Sequence, residues 1–289
     1  MNHPTHPNHP AAANHPNHPA EAPASTYSYK RIPPATTDQY RSWLDRQARA
    51  FEKEAAILDF LSTEIVSNVD VLSEHLRLSL RTTNTTLSRL EALGMIRRER
   101  LSYERSPVYI LGITSRGQNR IAELKDRKPR GRTFLPRYVG LSSLPHRFDL
   151  QRLRVALTAA GATDWMPGVV FRTPSKGEIV PDAVCKRGGF RLAIELERTL
   201  KTQARYEEIF AKHFRLVEGK NWDQIVYVCL TEADAQRMRG MPRKIGSLML
   251  DEGKDKPKRE VERERWERLF SFVSRDQAPE FFRDPANFF

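Results

Sequence analysis

The chain of 289 residues is strongly basic, with a formal net charge of +12 and a pI near 9.9. That length allows one large domain or two of ordinary size, and the charge favours a polyanionic partner, either nucleic acid or an anionic membrane. Since no stretch approaches the roughly 18 apolar residues of a transmembrane helix and the N-terminus lacks a signal-peptide pattern, we expect a cytoplasmic protein without membrane insertion. Its two cysteines, Cys185 and Cys229, lie in apolar runs and predict buried thiols rather than a disulfide or a zinc site.

The N-terminal segment, residues 1–37, is rich in histidine and proline, and the tripeptide Asn-His-Pro recurs along it. Frequent prolines remove backbone donors and favour extended, solvated chain, so this segment predicts a disordered tail. Its histidines could bind a transition metal, although a simple tail is the expected role.

Apolar residues at helical spacing predict three helices in the segment that follows. The first is long and amphipathic and covers residues 38–64. The second opens near Asp70 as its N-cap, and the third starts near Leu80 and is ended by Gly94, where a left-handed backbone costs glycine nothing.

A two-stranded hairpin is expected over residues 95–111, and a further helix follows a turn at residues 114–117. Three helices followed by a hairpin is the element order of a winged helix-turn-helix. We therefore predict a winged helix-turn-helix DNA-binding domain over residues 38–125.

Most of the net charge lies near this module. Between Arg81 and Arg137 the chain carries 14 lysines and arginines against 5 aspartates and glutamates, a net charge of +9. Such a concentration favours phosphate binding, because neutralised phosphates release their counterions. The candidate DNA-binding residues are the outward positions of the third helix and the arginines of the wing: Arg81, Thr82, Thr83, Asn84, Arg89, Arg97, Arg98, Arg100 and Arg105. The alternative is a module for protein pairing whose polar face is only solvated.

Residues 126–145 combine basic residues with prolines and glycines, which predicts a basic linker or a loop along a DNA backbone. Residues 146–289 then alternate between helical and β-branched apolar patterns, which indicates an α/β domain with a mixed sheet. The expected elements are a helix over 146–160, strands over 168–172, 178–185, 190–197 and 225–230, a helix over 199–218 and a charged C-terminal helix over about 257–274.

Acidic residues lie within two of these apolar strands. Asp182 follows Pro181 on the first strand, and Glu195 and Glu197 lie two apart on the second, on the same sheet face. Because buried carboxylates need partners, Mg²⁺ or Mn²⁺ bound by Asp182, Glu195 and Glu197 is one interpretation, with Lys201 beside the scissile phosphate. A structural network of salt bridges between the two glutamates and Arg191, Arg198 or Lys201 is the other.

The segment from Pro181 to Tyr206 resembles the PD-(D/E)xK nuclease core, with Asp182 and Glu195 at its acidic positions. The resemblance implies a restriction-endonuclease-like domain and a metal-dependent nuclease. The chain departs from the motif at Glu197, where the family most often carries lysine, and Lys201 could supply that amine from the following helix. The predicted fold class is therefore α+β, a winged helix-turn-helix followed by a restriction-endonuclease-like α/β domain.

The order of elements also resembles the replication-relaxation family, which includes MobC-type relaxases of mobilisable plasmids. The resemblance rests on YILGITSRG, HRFDLQRLRVAL, and PDA followed by IELERTLKTQARY. It implies nicking of plasmid DNA at a transfer origin, with double-stranded and also single-stranded DNA as partners and an accessory mobilisation protein. By this resemblance His146 joins the candidate catalytic set of Asp182, Glu195, Glu197 and Lys201.

Two functions stay open from the sequence: a metal-dependent DNA-nicking enzyme, and a non-catalytic plasmid replication or transcription regulator with a degenerate nuclease-like domain. The attacking group is also open between water and a tyrosine such as Tyr138 or Tyr206.

Overall fold

The computed structural model describes residues 37–103, 106–170, 179–251 and 257–288. Residues Gln47–Phe289 form one compact unit, and Met1–Arg46 belong to another. All but the last residue of the predicted His/Pro-rich tail, and Arg105 of the predicted wing, lie outside the described residues. The division of the chain at residues 126 and 146 into separate domains stays a prediction.

The first part of the chain combines helices with a small antiparallel sheet. Its elements are α1 (Thr37–Glu64), β1 (Val66–Ser67), α2 (Val69–Leu76), α3 (Leu80–Ala92), β2 (Ile96–Tyr103), β3 (Ser106–Ile113) and α4 (Ser115–Leu124). The sheet has the order β1-β3-β2, so the long β2–β3 hairpin is extended on one side by the short β1.

Local caps explain where these helices begin. The Asn68 side chain accepts a hydrogen bond of 2.9 Å from the backbone N–H of Val71, so Asn68 is the N-cap of α2 and the cap predicted at Asp70 is wrong. Asp70 lies instead in the first turn, where its negative charge also suits the helix dipole. Ser79 begins α3 in the same way as Asn68 begins α2.

The second part is built on a five-stranded mixed sheet, so the predicted α+β class with a mixed sheet is confirmed. Its elements are α5 (Leu144–Ala159), β4 (Thr163–Pro167), β5 (Ala183–Arg187), β6 (Phe190–Glu197), α6 (Gln203–Glu218), β7 (Gln224–Cys229), α7 (Glu232–Arg239), α8 (Met241–Ile245), β8 (Leu248–Leu250), β9 (Arg259–Val261), α9 (Arg263–Trp266), β10 (Phe270–Ser274) and α10 (Ala278–Arg283). The strand order is β10-β7-β6-β5-β4. Strand β7 pairs in parallel with β10 and with β6, whereas β5 is antiparallel to both of its neighbours, β6 and β4.

Alternate residues of the central strands pack on opposite sides of this sheet. Ala193 lies in a core with Phe210 of α6, whereas its neighbour Ile194 lies in a core with Leu153 of α5 and Phe282 of α10. The sheet is therefore covered by helices on both faces. Both cysteines are buried and free, as predicted, and burial raises the pKa of each thiol to about 12.

Helix α5 is shared between the two parts of the compact unit. Phe148 packs in the core with α2 and α3, and Leu153 packs on the five-stranded sheet. Between them the buried Gln151 accepts a hydrogen bond of 2.7 Å from the Ser67 hydroxyl and donates one of 2.7 Å to the carbonyl of Val66. These buried polar contacts fix α5, and with it the side chains of its first turn, against β1.

Two predicted elements are wrong. The helix expected over about 257–274 is instead β9, the short α9, a 3-10 turn and β10, and β10 pairs in parallel with β7. A strand was also expected over 168–172, but the strand in this region, β4, ends at Pro167, and residues 168–170 form a 3-10 turn. Residues 171–178 lie outside the described part of the chain.

The predicted basic linker is attached to the first part of the fold. We call residues 128–138 the strap. Phe134 at its centre is buried against Gly112 of β3, whose missing side chain leaves the space for the ring, since a Cβ there would lie 1.9 Å from the Phe134 ring. Among the described residues, no helix is long and apolar enough to cross a membrane.

Candidate functional site

Asp182 and Glu195 face each other at the edge where β5 begins. The hairpin pairs Ala183 with Ile194, so Asp182, directly before β5, lies opposite Glu195 of β6. The Asp182 carboxylate also accepts a hydrogen bond of 2.8 Å from the backbone N–H of Leu196. The convergence of these two acids, which the sequence suggested, follows from the register of this hairpin.

His146 reaches Asp182 from the first turn of α5. Its Nε2 lies 3.0 Å from Oδ1 of Asp182, and both side chains are about one third exposed or less. The hydrogen bond to Asp182 is the main cause that raises the pKa of His146 above its ordinary value, against an opposing effect of burial. The pair therefore favours an imidazolium beside a carboxylate, at a position open to solvent.

Glu195 has a second histidine on its other side. Nε2 of His213, on α6, lies 3.0 Å from Oε1 of Glu195, and His213 is completely buried. Tyr227 lies beside Glu195 in the parallel β6–β7 register, with its ring at 6.1 Å from that of His213. Burial is the main cause that raises the pKa of Glu195, and His213 opposes that rise.

Glu197 is the most deeply buried of the three acids, with 4% of its side chain exposed. It forms an ion pair with Lys201 and accepts a hydrogen bond of 3.1 Å from the Tyr206 hydroxyl. Lys201 lies in the loop before α6 and not within that helix, which was predicted to begin at residue 199. Tyr206 is fully buried and burial raises its pKa, so its hydroxyl is poorly placed to attack a phosphodiester, whereas Tyr138 is 72% exposed.

The five predicted catalytic residues thus lie around the carboxyl end of β6, but each acid has its own protein partner. Asp182 pairs with His146, Glu195 with His213 and Glu197 with Lys201. Within the part of the chain that the structure describes, no three His, Cys, Asp or Glu side chains form a group that could hold a metal ion. The three carboxylates do not fit a metal ion as they are arranged, because binding would require them to leave these partners.

His213 is the site residue that the sequence analysis missed. It lies on the apolar face of α6, which also carries Tyr206, Ile209 and Phe210. A single polar residue in such a stripe was the available signal, because a buried imidazole requires a polar neighbour. Neither of its ring nitrogens has a well-aligned hydrogen-bond partner among the described residues, and Oε1 of Glu195 has none either, so the 3.0 Å approach of Nε2 to that oxygen is a close contact and not an aligned hydrogen bond.

A glycine lets the chain pass close behind Asp182. A Cβ on Gly168 would lie 2.2 Å from the backbone oxygen of Pro181, and the Gly168 N–H donates a hydrogen bond of 2.7 Å to the carbonyl of Asp182. We expect Gly168→Ala to lower the free energy of unfolding by about 1–3 kcal/mol, because backbone cannot rotate away as a side chain can. Urea denaturation measures this, with Gly140→Ala as the control, since a Cβ there meets only a serine hydroxyl oxygen at 3.4 Å. Equal stability of the two variants would contradict the expectation.

The predicted base-reading residues of α3 are divided between its two sides. Arg81 is exposed, and Thr82 and Asn84 are half-buried. Thr83 is completely buried, so its prediction as an outward residue is wrong; it lies on the face that also buries Leu87. Arg89 forms an ion pair of 3.1 Å with Glu54 of α1.

A shallow groove of about 250 Å³ runs between α1 and α3 and is lined by Ala50, Lys53, Glu54, Arg81, Thr82, Thr85, Thr86 and Arg89. Lysine and arginine outnumber the single acid there, so the groove carries a net positive charge.

In β2, Arg97 points to one face of the strand, whereas Arg98 and Arg100, two residues apart, point to the other, so their exposure decides which of them a ligand can reach. Arg97 pairs with Glu99 at 2.8 Å with 60% of its side chain exposed, and Arg98 turns toward Glu91 of α3 at 3.4 Å. Arg100 is exposed and lies opposite Tyr109 on β3. Arg97 and Arg100 are therefore the described wing residues that are most available to a phosphate backbone.

Comparison with known proteins gives one family. The replication-relaxation family model matches residues 58–226, more than half of the chain, and this range contains α2, α3, the β2–β3 hairpin, α5 and the whole carboxylate cluster. No curated protein and no solved structure matches the chain.

Proposed function

Because this chain belongs to the replication-relaxation family, a family of plasmid replication and mobilisation, we propose that it binds plasmid DNA and nicks one strand at the Asp182–Glu195 site. The observation that carries the proposal is the convergence of His146, Asp182, Glu195 and Lys201 at one edge of the sheet. The DNA is recognised by a winged helix-turn-helix, and the cut is made by a restriction-endonuclease-like core.

The winged helix-turn-helix assignment is supported by topology. In that fold a short strand follows the first helix and pairs with the second strand of a long hairpin, which is the β1-β3-β2 order of this chain. Helices α2 and α3 then form the helix-turn-helix, with α3 placed in the major groove. Arg81 and Asn84 would contact base edges, and Arg97 and Arg100 would contact phosphates.

The nuclease assignment is supported by the neighbours of the acids. Asp182 and Glu195 stand at facing positions of a β-hairpin, and Lys201 is held beside Glu197, the position at which this chain lacks the usual lysine. A positioned ammonium can stabilise the charge that develops on a phosphate during strand cleavage. His146 and Asp182 lie at the open end of the site, where a proton could be exchanged with the DNA or with water.

We propose Mg²⁺ or Mn²⁺ as the cofactor, with Asp182 and Glu195 as its protein ligands, because hard divalent ions prefer carboxylate oxygens. If such an ion were bound there, it would supply Lewis-acid chemistry to the phosphodiester and to the water beside it. His146 and His213 would have to release their carboxylates for such an ion. Any metal dependence is therefore expected to include a rearrangement of these two pairs.

A non-catalytic plasmid regulator is the second candidate. It is favoured by the observation that each of the three acids lies within ion-pair distance of a histidine or lysine of the chain, as in a structural network of ion pairs. In this case the same winged helix-turn-helix would bind operator DNA, and the sheet domain would serve assembly.

A binding and nicking assay with the purified full-length chain separates the two. The substrate is a supercoiled plasmid that carries the non-coding DNA next to the gene, with Mg²⁺, with Mn²⁺ and with EDTA, and the empty plasmid is the control. We expect conversion to open circles with a metal ion and none with EDTA. A second substrate with a short unpaired bubble in the same DNA supplies the strand separation that an accessory mobilisation protein would otherwise provide. Tight salt-dependent binding with no nicking of either substrate would favour the regulator.

A further inference from the structure

We propose that the strap, residues 128–138, is a stacking platform for an unpaired DNA strand, with Tyr138 as the stacking residue. This inference rests on the proposed nicking function and adds the surface that would hold the unpaired strand, with Tyr138 as its contact residue. The three observations that carry it are the fixed position of the strap, its exposed aromatic ring and its charge.

The strap is held in place at its centre. Phe134 is 6% exposed, and its backbone N–H donates a hydrogen bond of 2.8 Å to the carbonyl of Ile113. The side chain of Gln118 donates another, of 2.7 Å, to the carbonyl of Arg132. A ligand that meets the strap therefore meets a surface that is fixed to the winged part of the fold.

Tyr138 is 72% exposed, which is the highest value among the exposed large hydrophobic residues of the described chain. The Arg137 guanidinium lies 4.9 Å from the centre of the Tyr138 ring, and Leu135 beside them is 45% exposed. An exposed aromatic ring with an arginine beside it is the arrangement on which unpaired bases stack. The bases of a closed duplex have no free faces, so the same ring gains little from a duplex.

The charge of this region favours a nucleic acid over an apolar partner. The strap contains Lys128, Arg130, Arg132 and Arg137, and the sequence has no acidic residue between Asp126 and Asp149. After the strap, the chain passes through one 3-10 turn and enters α5, whose first turn carries His146 of the candidate active site. A strand on the platform would thus be held by a segment that leads directly to the site of cleavage.

The test measures binding without cleavage. Fluorescence anisotropy in EDTA gives the affinity of the full chain for a labelled mixed-sequence single strand and for the same strand annealed to its complement. We expect Tyr138→Ala to weaken single-strand binding about tenfold and duplex binding less than about twofold, because one stacked base is lost. Tyr138→Phe should bind as the wild type does, because it keeps the ring. Met249→Ala, which removes another exposed apolar side chain far along the chain, is the control and should change neither affinity.

Unchanged single-strand binding by Tyr138→Ala would overturn the proposal. An equal loss for single strand and duplex would also overturn it, in favour of general backbone contact by the strap. Since cleavage is not measured, a protein that binds single strands through Tyr138 but never nicks would contradict the proposed function and leave the platform intact.

Discussion

Asp182→Asn and Glu195→Gln are each expected to lower the nicking rate about 100-fold or more, with duplex affinity unchanged. The amide variants keep the shape of the side chains and most of their hydrogen bonds. The amide oxygen introduced at position 182 would still accept from the N–H of Leu196, and the amide introduced at position 195 would keep the close contact with His213. What these variants remove is the negative charge, which a bound cation or a proton transfer at this site requires. The measurement is the initial rate of open-circle formation on the cognate plasmid.

The matched control is Asp164→Asn. Asp164 is also an acid paired with a cation, Lys186 at 2.9 Å, but it lies on the exposed outer strand β4. Its loss should leave nicking unchanged. If Asp182→Asn and Glu195→Gln fold, bind DNA and nick at the wild-type rate, the acids are not part of the cleavage chemistry and the assigned site is wrong.

The regular elements of the fold could be predicted because their signals are local. Helical spacing located α1, α3 and α6, and the largely apolar segment from Phe190 to Glu197 located β6. The C-terminal strand β10 could not be found in this way. The charged residues before it suggest a helix, and its strand structure depends on parallel pairing with β7, more than forty residues earlier in the chain.

The position of the strap also depends on a contact with a distant part of the chain, which local sequence patterns do not reveal. Its two prolines and its glycine correctly indicate the absence of a long helix or strand, and they also suggest a free linker. The attachment to β3 depends on one buried side chain, Phe134, which fits only because residue 112 is glycine. Such a pairing of a ring with a distant glycine leaves no pattern in either segment.

The sequence indicated the acids of the candidate site but not the side chains that pair with them. Acids among apolar residues pointed to Asp182, Glu195 and Glu197, and their convergence follows from the hairpin register. His213 lies on α6, a separate element, and contacts Glu195 only in the folded chain. Residue spacing alone could not show whether the acids have separate protein partners or share a metal ion. The burial of Thr83, by contrast, was predictable from spacing, because positions 83, 87 and 90 lie on one face of α3 and Leu87 and Leu90 are buried there.

Lys201→Met is expected to lower nicking about 100-fold without weakening DNA binding. If Lys201 supplies the ammonium of the nuclease motif, its loss removes one positioned positive group from the scissile phosphate, a change that costs about 10²–10³ in rate in comparable sites. Glu197 would then act through Lys201, because its carboxylate holds that amine. Glu197→Gln should therefore reduce nicking in the wild type and add little in the Lys201→Met background.

A double-mutant cycle on nicking rates, with thermal unfolding of each variant to verify folding, measures this coupling. The control is Lys212→Met, which breaks an exposed lysine–glutamate pair with Glu208 on α6 and should leave the rate unchanged. If Glu197 is instead a metal ligand in its own right, the rate of the double variant will fall by the product of the two single losses. A raised Mn²⁺ concentration will then restore the nicking rate of Glu197→Gln but not that of Lys201→Met. The cycle thus decides between two roles for Glu197, which occupies the lysine position of the nuclease motif. Either its carboxylate positions Lys201, or it acts as a third acid of the site.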